Sequence, residues 1–242
     1  MKVDLTLNNV RKSYNNHPVL KDVNLQIKTH EFICILGHSG CGKSTMLNLI
    51  AGFIQPDEGS IYVDGQMIKG PSKERGVVFQ EHALFPWYTV LKNITFGPIV
   101  QGVEEKEADE IARRHLKKVG LEKYADHYPE ELSGGMKQRV GIARALAAEP
   151  KLLLMDEPFG ALDVFTKESL RKELIDIWME LKTTIIFITH DISEAVYLAD
   201  RVIVMKNGLI AKDLHIDLPR PRKYHQDRFG DLVFELEQVL VH

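Results

Sequence analysis

The stretch Gly37-His38-Ser39-Gly40-Cys41-Gly42-Lys43-Ser44-Thr45 decides the fold of this chain. Its spacing, a glycine followed four residues later by Gly-Lys-Ser, is that of a phosphate-binding loop. The apolar run Phe32–Leu36 precedes it at the length of a strand, and residues 46–51 follow it with a helical pattern. Strand, glycine loop and helix in this order form the context in which the motif binds phosphate. The alternative is a tight glycine turn that binds nothing. Such a turn does not explain why Lys43 and Ser44 stand at the positions that the motif requires.

The residue types of this loop predict its chemistry. Glycines let successive backbone N–H groups turn towards a phosphate, and the start of the following helix adds a partial positive charge. We expect Lys43 to reach the β- and γ-phosphates and Ser44 to place its hydroxyl on Mg²⁺. Residues 37–45 are therefore predicted to bind a nucleoside triphosphate with magnesium.

Composition limits the classes of protein that remain. A chain of 242 residues is long enough for one large domain that contains a subdomain. Lys plus Arg number 31 and Asp plus Glu 34, a net charge of −3 that argues against a general nucleic-acid binder. The two cysteines, Cys34 and Cys41, do not form the pattern of a disulfide framework. Their small number favours a protein of a reducing compartment. No signal-peptide core follows Met1, and no apolar run approaches the ~18 residues of a membrane span. The prediction is a cytoplasmic protein that reaches a membrane only through a partner.

Short strands alternate with helical segments around the phosphate loop, which predicts an α/β fold with a parallel sheet covered on both faces. Three apolar strands end on polar side chains: Gln80, Asp156 with Glu157, and His190. In open α/β sheets, ligands bind at the carboxyl ends of the strands. These side chains are therefore expected to converge on the bound triphosphate.

Each of these groups suits a step of triphosphate hydrolysis. Asp156 is the predicted metal ligand, and Glu157 is the predicted general base that aligns the attacking water. The alternative for Glu157 is an exposed acid at the end of a strand. His190 could hydrogen-bond the γ-phosphate, and its alternative is a capping or packed histidine.

A second anion-binding motif precedes the helix predicted over residues 136–148. Ser133, Gly134 and Gly135 stand at its start, where backbone N–H groups and the helix dipole attract anions. One nucleotide does not need two such sites from one chain. We therefore predict that the second motif contacts a nucleotide held by another copy, in a head-to-tail homodimer around two nucleotides.

Leu132-Ser133-Gly134-Gly135 resembles the signature of the ATP-binding subunits of ABC transporters, and the resemblance covers nearly the whole chain. The family continues with glutamine where this chain has Met136. The resemblance implies a P-loop NTPase core with a parallel sheet, an N-terminal antiparallel β subdomain and an α-helical signature subdomain. Carried over by position, it assigns a metal-sensing role to Gln80, adenine stacking to Tyr14, a switch role to His190 and a dimer-facing loop to Ala161-Leu162-Asp163. Packing is the alternative for Tyr14.

Two further stretches narrow the subfamily. Residues 83–90, with Phe85, Trp87 and Tyr88, resemble a segment of importers for nitrate, sulfonates, taurine and thiamine precursors. That family uses this region as a groove for a short helix of the membrane subunit, and the alternative is a loop packed on its own helical subdomain. Residues 218–222 resemble the Pro-Arg-Pro segment of the same subunits. The implied division is an ATPase domain over 1–218, with a helical subdomain at about 83–149, and a short tail over 219–242.

The resemblance implies an ATPase, with ATP and Mg²⁺, that powers solute import from the cytoplasmic face of the membrane. Its implied partners are a second copy, a separate membrane permease and, indirectly, an extracytoplasmic solute-binding protein, with no nucleic acid. Two alternatives stay open, namely a soluble ABC ATPase acting on DNA or ribosomes and a non-hydrolytic ATP-dependent clamp. Because Cys41 precedes a helix start, its thiolate is expected to be favoured and its alkylation to inhibit.

One histidine lies outside the predicted site. His115 falls on the apolar face of a predicted helix, with no second ligand at metal spacing. It is predicted to be a packed core histidine.

Overall fold

A computed structural model of the chain describes residues 5–81, 83–160, 162–181, 183–225 and 227–241. Two predictions, for Val3 in the first strand and for Ala161 in the dimer-facing loop, lie outside the described residues. In the described residues the strands are β1 (Leu5–Tyr14), β2 (His17–Ile27), β3 (Phe32–Leu36), β4 (Glu58–Val63), β5 (Gln66–Met67), β6 (Arg75–Val78), β7 (Leu152–Asp156), β8 (Thr184–Thr189), β9 (Arg201–Lys206) and β10 (Leu209–His215). The α-helices of the same residues are α1 (Lys43–Ala51), α2 (Val90–Val100), α3 (Glu105–Lys118), α4 (Gly134–Ala147), α5 (Val164–Leu181), α6 (Ile192–Leu198) and α7 (Asp227–Val241).

The chain divides into two compact units. The first contains residues 1–72 and 183–242, and the second contains residues 73–182. The proposed domain boundary at residue 218 and the proposed bounds of the helical subdomain, about 83–149, stay predictions.

An antiparallel sheet in the first unit has the strand order β2-β1-β4-β5. Leu5 and Leu7 alternate with less buried residues on β1, as the sequence pattern predicts for a half-buried strand. Leu5 pairs with Ile27 on one side and with Val63 on the other. The cross-strand pairing of these buried side chains holds the sheet in register.

The strand before the phosphate loop is the centre of a second sheet in the first unit. β3 pairs in parallel with β8 on one side and with β9 on the other. Every residue of β3 and β8 is buried, which is the continuous apolar type of strand found in parallel sheets covered on both faces. β9 turns into β10 through Asn207 and Gly208, which have φ values of 52° and 81° and confirm the predicted hairpin.

The second unit contains the parallel pair β6 and β7 and a helical part in which α2, α3 and α4 pack against one another. This arrangement confirms the predicted α-helical subdomain that carries Ser133. The strand predicted to end on Gln80 in fact ends at Val78. Helix α4 begins at Gly134 rather than at Met136, because Ser133 caps it. None of the helices in the described ranges is long and apolar enough to cross a membrane.

Candidate functional site

Two glycines of the phosphate loop, Gly37 and Gly42, cannot be replaced without displacing neighbouring atoms. A Cβ on Gly37 would lie 2.5 Å from the Met205 carbonyl oxygen. Gly42 has a φ of 106° as the residue before α1, and a Cβ there would lie 2.7 Å from the Leu20 side chain. Gly40, with a φ of 79°, has open space on the side where a Cβ would point. The loop therefore packs against strands of both sheets, β9 and β2, and leaves an open face beside Gly40.

Lys43 is the first residue of α1 and its side chain is buried. Its ammonium donates hydrogen bonds to the carbonyl oxygens of Gly37, at 2.8 Å, and His38, at 3.1 Å. These bonds hold the Lys43 ammonium against the backbone of the phosphate loop. Ser39 and Ser44 are exposed and Thr45 is half-buried, so two hydroxyl groups of the loop are accessible.

The structure contradicts the predicted reactive thiol at Cys41. Its side chain is buried, and burial raises the pKa of the Cys41 thiol, with the Lys43 ammonium opposing that effect. Desolvation of the thiolate therefore outweighs both the nearby cation and the helix start. The prediction that the thiolate form of Cys41 is favoured was wrong, because the sequence does not reveal how tightly this side chain packs on the loop.

The C-terminal helix contacts the phosphate loop, a feature that the sequence analysis missed. Nε2 of His38 lies 3.3 Å from the backbone carbonyl oxygen of Leu240 in α7. Phe229, Leu232 and Leu236 are buried on one face of α7, which packs on α6 and β9. Apolar residues at intervals of three and four were a signal for this amphipathic helix, but no sequence signal pointed to His38.

Two further predicted residues lie in the first unit. His190 is exposed and directly follows the last residue of β8. Tyr14 ends β1 with 46% of its surface exposed, and the Lys12 ammonium lies 5.8 Å from the centre of its ring. An exposed aromatic face of this kind can stack on a base, whereas a core-packing role would have buried it.

In the second unit, Gln80 and Glu157 both lie close to Gly160. A Cβ on Gly160 would be 3.5 Å from Nε2 of Gln80 and 4.0 Å from Cβ of Glu157. Asp156 is the last residue of β7, and both it and Glu157 are half-buried. Glu157 has a φ of 42°, a left-handed conformation that is uncommon for residues other than glycine. Such strained backbone often accompanies functional side chains, since the surroundings must hold it in place.

The serine-diglycine motif is the capped start of α4. Oγ of Ser133 accepts a hydrogen bond of 3.3 Å from the Met136 N–H, and Gly134 is exposed in the first turn. A Cβ on Gly135 would lie 2.5 Å from Cγ2 of Thr166, so only glycine fits there. The first N–H groups of a helix have no partner within it, so this turn presents donors suited to an anion.

Asp163, in the loop before α5, holds Thr166 in that contact. The Thr166 N–H and hydroxyl donate to the Asp163 carboxylate at 3.0 and 2.6 Å. These bonds lower the pKa of Asp163. Asp163 therefore caps the start of α5 and links the loop to the serine-diglycine motif, a structural contact that sequence reasoning did not predict.

An aromatic cluster, formed by Phe85, Trp87, Tyr88 and Phe96, lies in the second unit. The ring centres of Phe85 and Phe96 are 4.8 Å apart, whereas Trp87 is 67% exposed. The buried Asn93 amide fixes the loop, since it donates to the carbonyl oxygens of Phe85, Tyr88 and Thr89 and accepts from the Phe85 N–H. The cluster is therefore partly internal, as the alternative reading expected, and partly presented to solvent through Trp87.

A groove of about 670 Å³ lies beside this cluster. Its lining residues are Gln80, Glu81, Ala83, Leu84, Pro86, Pro129, Glu130 and Lys137. Its lining combines apolar side chains with Gln80 and with charged side chains of both signs, those of Glu81, Glu130 and Lys137.

Comparisons with known proteins identify the family of the chain. The family described as ABC transporter matches residues 20–160. The nitrate import ATP-binding protein NrtD of Synechocystis is 53% identical over 211 residues, which cover 86% of this chain and 79% of NrtD. The bicarbonate transport ATP-binding protein CmpD of the same organism is 48% identical over 227 residues, which cover 90% of this chain and 80% of CmpD.

A solved structure has the same fold. It is the ATP-binding cassette MJ0796 in a dimeric, post-hydrolysis state bound to ADP and Pi. It superimposes with a TM-score of 0.79 at 36% identity and covers 89% of this chain and 100% of the cassette.

Proposed function

Because the chain belongs to the ABC transporter ATP-binding family, we propose that it hydrolyses ATP to power import of a small solute through a separate membrane permease. The observation that carries the proposal is its similarity, over most of its length, to ATP-binding proteins named for nitrate import and bicarbonate transport. The nitrate, sulfonate, taurine and thiamine-precursor importers are the subfamily to which its motifs point. Nothing in the comparisons favours action on DNA or ribosomes.

The phosphate loop supplies the binding step. Lys43 neutralises charge on the β- and γ-phosphates, the N–H groups of residues 37–45 donate to phosphate oxygens, and Tyr14 stacks on the adenine. His190 donates a hydrogen bond to the γ-phosphate and so makes the protein sensitive to its presence.

Glu157 acts as the general base. Its carboxylate takes a proton from a water molecule as the water oxygen bonds to the γ-phosphorus. The bond from that phosphorus to the β–γ bridging oxygen breaks, and the electron pair leaves with ADP.

The residues proposed for magnesium fit that ion. Ser44, Gln80 and Asp156 offer hydroxyl, amide and carboxylate oxygens, which are the donors that Mg²⁺ prefers. The described ranges hold no cluster of three or more His, Cys, Asp or Glu side chains suited to a metal. This matches an ion that binds through one or two carboxylates and completes its shell with phosphate oxygens and water. When bound, magnesium neutralises phosphate charge.

We place the second anion site in a head-to-tail homodimer, in which Ser133, Gly134 and Gly135 of one copy contact the triphosphate held by the other. The related cassette bound to ADP and Pi is itself dimeric. The Asp163 carboxylate holds Thr166, whose methyl group lies against Gly135 of the serine-diglycine turn.

Mixing two inactive variants tests this arrangement. A Lys43→Ala copy and a Ser133→Arg copy each form homodimers with two defective sites. Their mixed dimer has one site that combines Lys43 of one copy with Ser133 of the other, so mixing should restore ATPase activity. If the two motifs serve the same nucleotide within one copy, every mixture stays inactive and the head-to-tail dimer is refuted.

The groove beside Trp87 is the proposed docking site for a short helix of the permease on the cytoplasmic side of the membrane. The solute-binding protein outside the membrane would then contact only the permease. The proposed docking surface includes the exposed face of the aromatic cluster at Trp87, next to the groove residue Pro86. Trp87→Glu places a charge on this surface, so it should abolish co-purification with a co-expressed permease. Tyr124→Glu, at an exposed position outside the groove, is the control. Undiminished co-purification of the Trp87 variant would contradict this docking site.

Growth of a deletion strain tests the transport function. The strain should fail to grow with one of nitrate, taurine or an alkanesulfonate as sole nitrogen or sulfur source, and the wild-type gene should restore growth where Glu157→Gln does not. Normal growth and normal uptake of each solute, bicarbonate included, would refute the import function. An ATP-dependent clamp without hydrolysis predicts that Glu157→Gln restores growth as well as the wild type.

A further inference from the structure

The segment 218–222, singled out in the sequence, has no part in the chemistry above, yet it contains the most deeply buried arginine of the described residues. Arg222 is only 4% exposed. Arginine is almost never buried to that degree unless its charge and donors are satisfied. Burial lowers the pKa of Arg222 to about 10, so the guanidinium stays charged at neutral pH.

The donors of Arg222 are aimed at the end of one helix. Its Nη1 donates to the carbonyl oxygens of Val196, at 2.7 Å, and Ala199, at 2.6 Å, with Tyr197 at 3.3 Å. These carbonyls belong to the last turn and the cap of α6. The last carbonyls of a helix have no partner within it, and a cation there also complements the helix dipole.

Arg220 holds the same end of α6 from the neighbouring position. One of its nitrogens donates to the Leu198 carbonyl oxygen at 2.5 Å, and another is paired with Asp200. Asp200 in turn accepts a hydrogen bond of 2.9 Å from the Phe32 N–H, at the start of β3. The two arginines, here called the arginine clamp, both hold the end of α6, and Arg220 also links it through Asp200 to the strand that leads into the phosphate loop.

The other end of α6 is bound tightly to the residues around His190. The Asp191 carboxylate accepts from the Glu194 N–H at 3.0 Å, and the Asp191 N–H donates to Thr189 Oγ1 at 3.0 Å. The Thr189 hydroxyl donates to the buried Glu194 carboxylate at 2.5 Å. His190 lies between Thr189 and Asp191, so these bonds tie the residues on both sides of it to the start of α6.

Helix α6 has seven residues, fewer than the ~12 at which isolated helices become even marginally stable in water. It therefore depends on the hydrogen bonds at its two ends and on its packing against β3 and α7. We propose that the arginine clamp is a positioning device for catalysis, which sets the orientation of His190 by holding the far end of α6. The proposal rests on the role of His190 given under the proposed function.

The test compares Arg222→Gln with Arg222→Lys in the full-length chain. Glutamine removes the cation and the fork of donors, whereas lysine keeps a cation at the helix end and should retain more activity. We expect Arg222→Gln to lower kcat about 10- to 100-fold, the scale of a misplaced catalytic group. The Kd for ATP should change less than twofold, because the phosphate loop keeps its own contacts. Arg228→Gln, an exposed position on α7, is the matched control and should keep the wild-type kcat.

A double-mutant cycle separates positioning of His190 from general stability. If Arg222 acts through His190, Arg222→Gln should lower the residual turnover of His190→Ala by less than twofold. A full additional loss in that background would overturn the clamp as a positioning device, and so would a wild-type kcat for Arg222→Gln. If His190→Ala itself turns over normally, the proposed role of His190 fails and the clamp falls with it.

Amide hydrogen exchange gives a second readout for the case in which Arg222→Gln does not fold. In folded Arg222→Lys, exchange should accelerate at residues 191–199 and remain unchanged in α1. Unchanged exchange at residues 191–199 would overturn the proposal.

Discussion

Replacing His115 by phenylalanine should remove an acid sensitivity of about 2 kcal/mol from the second unit at pH 5. His115 is buried in α3, and burial, followed by the nearby charges of Lys118 and Arg114, lowers its pKa from 6.5 to about 4. Nδ1 of His115 has no hydrogen-bond partner among the described residues, which fits a packed, neutral ring. The predicted core histidine therefore has a measurable consequence.

The sign follows from proton linkage. The unfolded chain binds a proton at His115 below pH 6.5 and the folded chain does not, so acid favours the unfolded state. The stabilisation is complete above pH 6.5, declines as the pH falls, and is lost by about pH 4. At about 1.4 kcal/mol per tenfold change in proton affinity, the full effect is about 3 kcal/mol, of which about 2 kcal/mol is lost at pH 5.

Intrinsic fluorescence can report this unit by itself, because both tryptophans of the chain, Trp87 and Trp178, lie within residues 73–182. Urea unfolding at pH 7.5 and pH 5 gives the loss of stability on acidification. The loss should be about 2 kcal/mol smaller for His115→Phe than for the wild type, whereas His215→Phe, which removes an exposed histidine on β10, should behave like the wild type. If His115→Phe and the wild type lose the same stability, the assignment of a buried neutral imidazole is wrong.

The remaining predictions concern four residues. Glu157→Gln should bind ATP and dimerise but hydrolyse it at least about 100-fold more slowly in a phosphate-release assay, with Glu110→Gln as the control; normal turnover would remove the base assignment. Cys41 should react with iodoacetamide much more slowly in the folded chain than in urea at the same pH, and equal rates would contradict its burial. Gly135→Ala should weaken ATP-dependent dimerisation, measured by gel filtration, and Thr166→Ser should restore it by removing the methyl group that a Cβ would meet at 2.5 Å; no rescue would show that this contact is not the cause. Asn93→Leu should destabilise the second unit by about 2–4 kcal/mol in urea, because the backbone groups of Phe85, Tyr88 and Thr89 lose their partner, and an unchanged midpoint would argue against that network.

Local motifs were predicted well because the residues that form them are close together in the chain. The strand before the phosphate loop, the helix after it and the Asn207-Gly208 hairpin all lie where the sequence predicts them. Asp191 followed three residues later by Glu194 is a capping-box pattern in the sequence, and Asp191 does cap α6. Errors at this level were shifts of up to three residues, as at the start of α1 and the end of β6, because the hydrophobic pattern marks the ends of helices and strands only loosely.

Contacts between distant residues were not predictable in the same way. The Arg222 donors reach carbonyls more than twenty positions earlier in the chain, His38 meets Leu240, and Gly135 fits against Thr166. Arginine in a polar, basic stretch predicts a solvated side chain, because charge is normally exposed. Only packing of the surrounding elements shows that this arginine is buried and satisfied.

The sequence by itself determined the family, the phosphate loop and the order of strands and helices, since each depends on spacing within a short segment. Tertiary structure decided the properties that depend on burial. It made Cys41 a protected thiol instead of a reactive one, placed Asp163 behind the serine-diglycine turn, and turned the Pro-Arg-Pro segment into a clamp on α6. The physical reason is that the free energies of desolvation and of hydrogen bonding to backbone carbonyls depend on which groups the folded chain brings into contact.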